Sequence, residues 1–165
     1  MALAAFPWRM VFGQKELSRD TGWRTGRIMP RYAPVFPKSK TLNPSWEWRA
    51  LTLTLDGRDG ICFLQVSPRF GKWQAYLFVR AHSGIWTTLC RLEDQPRQSG
   101  LHAHAACAGQ TITGATSIDL PNRVPAHGAR HRRHRAWTRE TFFRAACHFY
   151  RIPVEHDQPS LFDDT

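Results

Sequence analysis

Between residues 49 and 92 four apolar runs follow one another with connections too short to hold a helix, and that spacing leaves few folds open. In residues 49–55, Leu51, Leu53 and Leu55 alternate with Thr52 and Thr54, the period-two mark of a strand with one buried face. Asp56-Gly57-Arg58-Asp59-Gly60 reads as a turn, and Ile61–Ser67 as the second strand. Pro68-Arg69-Phe70-Gly71 turns the chain into Trp73–Arg80, and His82-Ser83-Gly84 leads into Ile85–Leu92. Parallel neighbours need a crossover of about a dozen residues, so these strands are expected to be antiparallel.

Downstream, Glu93–Gly100 is a loop and Leu101–Ala106 a short fifth strand, while Gly109–Gly128 reads as a long loop with one short strand at most. Thr138 then looks like a helix N-cap with Glu140 in the first turn. Phe142, Ala146 and Phe149 repeat at helical spacing beside Phe143 and Tyr150, which predicts a helix over 139–151 stopped by Pro153. The expected fold is α+β: an antiparallel β-meander of four to five strands with a C-terminal helix packed on one face. Residues 1–45, punctuated by Pro and Gly but rich in aromatics, are expected to form a basic arm packed on the core at 46–153. Residues 154–165 are expected to be an acidic, flexible tail.

The 165 residues suffice for one domain with a real core. Cys62, Cys90, Cys107 and Cys147 show no Cys-x-x-Cys spacing, and no apolar run approaches the ~20 residues of a membrane span. The opening Met-Ala-Leu-Ala-Ala-Phe-Pro-Trp-Arg-Met becomes charged too soon for a secretory leader. A cytoplasmic protein with reduced thiols and no membrane association is expected. Charge is the stronger signal. There are 23 Lys and Arg against 13 Asp and Glu, a net +10. Four of those acids, Glu155, Asp157, Asp163 and Asp164, follow the last base, so nine acids face 23 bases in a body of +14. Such a field attracts nucleic acid, an anionic membrane or an acidic protein.

The basic charge has two concentrations. Between Asp20 and Glu47 the arm carries Arg24, Arg27, Arg31, Lys38 and Lys40 with no acid. Residues 120–139 hold six arginines and three histidines, again without an acid. Here Arg123, Arg130, Arg132, Arg133, Arg135 and Arg139 can neutralise backbone phosphates. Trp137 either stacks on a base or anchors the start of the helix in the core. The arginines of 130–135 are too close together for one helix face, so a loop wrapping a backbone is expected.

His102-Ala103-His104 is the sharpest local pattern. On a strand both imidazoles share one face, and Cys107 follows three residues later. Two histidines and a thiol, His102, His104 and Cys107, can ligate zinc, or the histidine pair can serve as base and acid in phosphodiester cleavage.

The last dozen residues contain Gln158-Pro159-Ser160-Leu161-Phe162. This pentapeptide resembles the short motif by which bacterial polymerases and repair proteins dock on the replicative sliding clamp, with four of five positions matching and Pro159 departing. The resemblance implies Gln158 as the polar anchor and Leu161 and Phe162 as apolar anchors in a groove, with the clamp as partner. A tail folded back on its own domain is the alternative. The chain therefore reads first as a nucleic-acid-binding accessory protein, for DNA before RNA. The alternatives are a small His-based nuclease or metal-dependent phosphoesterase using His102 and His104, and a protein–protein inhibitor or adaptor with a basic face.

Overall fold

A computed structural model of the chain describes residues 10–36, 40–97, 100–105, 117–118 and 136–154. The expected meander forms its centre: β4 (Glu47–Leu55), β5 (Arg58–Ser67), β6 (Lys72–Arg80) and β7 (Trp86–Asp94) pair in sequence, each antiparallel to the last. β8 (His102–Ala105) extends the sheet beyond β7, and β9 (Ser117–Ile118) pairs with β8. On the other edge β1 (Lys15–Asp20) pairs with β4, so the order is β1-β4-β5-β6-β7-β8-β9. A separate two-stranded ribbon joins β2 (Arg27–Ile28) to β3 (Lys40–Thr41).

The first hairpin is tighter than the sequence suggested. Leu55 pairs with Arg58, leaving only Asp56 and Gly57 in the loop, both at positive φ (50° and 68°). That is the conformation whose twist suits a two-residue hairpin, and it favours Asp-Gly.

The helix α1 (Arg139–Tyr150) lies on one face of the sheet. Thr138 caps it, and Thr141 completes a reciprocal capping box in place of the usual Glu or Gln. Phe142, Phe143, Ala146, Phe149 and Tyr150 are buried against Leu51, Leu53, Leu55, Leu64, Leu77 and Leu92. The opposite face of the sheet is covered too. Ile28, Tyr32, Ala33 and Leu42 from the arm pack over Trp48, Ala50, Phe63 and Phe78, with the Phe36 ring edge-on to Phe63, Tyr76 and Phe78. The central strands are thus buried on both sides, which explains why every residue from Gly60 to Ser67 is buried.

The Tyr150 side chain joins helix and sheet by polar contacts within the core. The Tyr150 hydroxyl donates to the Ala75 carbonyl (2.6 Å) and accepts from the Leu92 N–H (3.1 Å). Ala75 and Leu92 are register partners, so the hydroxyl bridges β6 and β7 at that pair. Tyr150→Phe should lower the unfolding free energy by about 2 kcal/mol, because two hydrogen bonds to buried backbone groups are lost. Urea denaturation checks this, with an unchanged midpoint as the contrary result.

Candidate functional site

Two clusters of polar and charged side chains stand out: a buried row on the arm side of the sheet, and a basic region at the sheet end where α1 begins.

The row crosses four strands at one level. Gln65, Gln74, Glu93 and His102 are successive register partners on β5, β6, β7 and β8. Gln65 Nε2 donates to Gln74 Oε1 (2.6 Å), and Gln74 Nε2 donates to Glu93 Oε2 (3.2 Å). Glu93 is buried and also accepts from Gln95 Nε2 (3.0 Å), while Arg91 Nε lies 3.2 Å from Oε2. His102 closes the row, its Nε2 lying 3.1 Å from Glu93 Oε1 and its Nδ1 2.6 Å from the Gly100 carbonyl. Both ring nitrogens face acceptors, so the ring is satisfied as a doubly protonated imidazolium. The Glu93 hydrogen bond raises its pKa above the ordinary value, overcoming the opposite effect of burial; the Gly100 carbonyl acts in the same direction as Glu93.

This geometry changes the expectation for His102. With its nitrogens engaged by a carbonyl and a carboxylate, the protonated ring has no lone pair to take a further proton or to ligate a metal. The backbone of His104 sits opposite Arg91, on the same strand face as His102, as the alternation requires. The His104 side chain and Cys107 lie outside the described residues. Among the described residues no group of three His, Cys, Asp or Glu could hold a metal.

The linkage has a definite sign. A histidine whose pKa is raised on folding contributes stability that is present in full below its unfolded pKa, about 6.5, and is lost as pH rises through the folded value. The stability gap between the native chain and His102→Gln should therefore be widest below about pH 6 and narrow above 6.5. Thermal melts across that range measure it, and a gap that widens with pH would contradict the assignment.

The basic region is built around the start of α1. Trp137 takes the anchoring role rather than the stacking one: it is buried, its indole N–H donates to Asp94 Oδ2 (2.9 Å), and its ring is edge-on to Phe142. Its expected place among the nucleic-acid-binding residues is corrected accordingly, because the carboxylate at the end of β7 draws the indole inward. Arg139 is half-exposed and pairs with Glu47 Oε1 (2.6 Å). On the solvent face of α1 follow Arg144 and His148, at i, i+4 spacing, and exposed Arg151 comes just past the helix end in the left-handed capping position. None of the three makes an ion pair among the described residues. Sequence reasoning missed this continuation, although the helical spacing of these residues signals it. Arg123, Arg130, Arg132, Arg133 and Arg135 lie outside the described residues, as do Gln158, Leu161 and Phe162. In the arm, Arg24, Arg27 and Arg31 are exposed, with Arg31 over the Tyr32 ring at 4.8 Å.

No helix among the described residues is long and apolar enough to cross a membrane. No protein-family model matches the chain, and no curated protein or solved structure matches it.

Proposed function

We propose that this chain is a nucleic-acid-binding accessory protein that holds a phosphate backbone through the segment 123–139 and the outer face of α1. The observation that carries the reading is charge continuity. An acid-free run with six arginines leads into α1, where Glu140 is engaged by Trp23 and Arg139 and the exposed bases Arg144, His148 and, just past the helix, Arg151 follow without ion pairs among the described residues. Arginine-dense, acid-free surface of this kind interacts with phosphates by displacing condensed counterions. Hydrolysis at His102 is disfavoured by the engagement of both its ring nitrogens.

DNA takes precedence over RNA because the peptide Gln158–Phe162 resembles one that works at replicating DNA. In this reading the tail recruits the protein to a clamp-like groove while the basic body holds the nucleic acid. Deleting residues 157–165 should abolish clamp binding and leave DNA affinity intact; clamp binding unaffected by the deletion would remove the recruitment half.

The backbone half is tested with labelled DNA and RNA of one sequence at low salt. The double variant Arg144→Gln/Arg151→Gln should bind roughly tenfold more weakly and lower the salt slope by about two. Binding identical to that of the native chain would exclude the helix face from the interface.

A further inference from the structure

We infer that the nucleic acid is single-stranded where it meets the end of the sheet, and that Phe70 stacks on one of its bases; this rests on the backbone-binding reading above. The turn between β5 and β6 presents this ring. Pro68–Phe70 form one 3-10 turn that opens on a proline. Gly71 closes it in the left-handed region (φ 61°), its N–H bonded to the Pro68 carbonyl at 3.2 Å. A short turn fixed at both ends holds Phe70 outward, and it is 49% exposed, the sole exposed Phe, Tyr or Trp among the described residues. The tryptophans that could have served as a platform are buried or half-buried there.

Cations gather at this end of the sheet, one of them against the ring. The Arg69 guanidinium lies 5.5 Å from the Phe70 centroid, and Lys72 Nζ lies 6.0 Å from that of half-buried Trp46. Arg97 is exposed just beyond β7, and Pro96 approaches Gly71 closely. The acids nearest this end are already engaged, Glu47 with Arg139 and Asp94 with Trp137. Those same two contacts bring the end of the basic segment to this edge of the sheet. An open ring at an end of the sheet that also carries these cations has the composition of a single-strand site: phosphates take the cations and an unstacked base takes the ring. A duplex keeps its base faces stacked inside and offers Phe70 nothing to cover.

The test compares one DNA sequence as single strand and as duplex, by fluorescence anisotropy on the full chain. The native protein should prefer the single strand. Phe70→Ala and Phe70→Leu should lose roughly 5- to 100-fold on the single strand, with little change on the duplex and an unchanged salt slope, whereas Phe70→Trp should retain affinity. Because Phe70 is exposed, these variants should melt at the native temperature, which separates loss of stacking from loss of fold. Equal affinity of Phe70→Ala and the native chain for the single strand would overturn the stacking inference while leaving backbone binding in place. No binding to either form at low salt would overturn both.

Discussion

Lys15→Met is expected to destabilise the protein by roughly 2–4 kcal/mol, an unusually large effect for a change at the edge strand of a sheet. Lys15 is buried, and its ammonium donates to the carbonyls of Val11 and Gly13 at 2.7 Å and to that of Tyr150. Three donors meet three acceptors, and one acceptor lies in the last turn of α1, where the helix dipole favours a cation. The opposing effect is desolvation: burial lowers the Lys15 pKa to about 8, with Arg151 acting in the same direction. That shift corresponds to a penalty of about 3 kcal/mol. Three charge-assisted hydrogen bonds at about 1.5–3 kcal/mol each outweigh it. Methionine fills similar volume but deprives three carbonyls, two of them buried, of this donor. Chemical denaturation decides the matter, since a neutral or stabilising substitution would mean that the lysine is tolerated rather than used. The contact ties β1 and the segment before it to the end of the helix.

The second large effect is on binding. Replacing Arg130, Arg132, Arg133 and Arg135 together by Gln should weaken DNA affinity on the order of a hundredfold or more near physiological salt. Each neutralised phosphate releases close to one counterion, so the weakening should be shared evenly across sequences. The fold should be unaffected, because α1 is held by Thr138, Trp137 and its apolar face, all downstream of the substituted residues. A variant that melts normally and binds as well as the native chain would remove these arginines from the interface.

What could be read from the sequence follows from where each signal lies. The four central strands and α1 were legible because Leu51, Leu53 and Leu55 alternate, and because Phe142, Ala146 and Phe149 recur at helical spacing. β1 was not, since Lys15–Asp20 is almost wholly polar: an edge strand needs only Leu17 and the stem of Lys15 to face the core. The second covered face was only partly visible. The aromatics of the arm pointed to packing, but their seats over Phe63 and Phe78 depend on register. The same limit applies to the buried row. Gln65, Gln74, Glu93 and His102 carry no pattern in one dimension and meet only when four strands align. The paired histidines were visible as a strand face, but the engagement of His102 by Glu93 and Gly100 depends on a loop closing between them.

The central claim is that arginines on this chain hold a nucleic-acid backbone, and the slope of log affinity against log salt tests it most directly. For a short DNA duplex the native chain should give a slope of about −5 or steeper. The four-arginine variant should give a slope shallower by about three to four, since each phosphate that is no longer neutralised removes roughly 0.9 from it. A slope near zero for the native chain, or no detectable binding at low salt, would contradict the account.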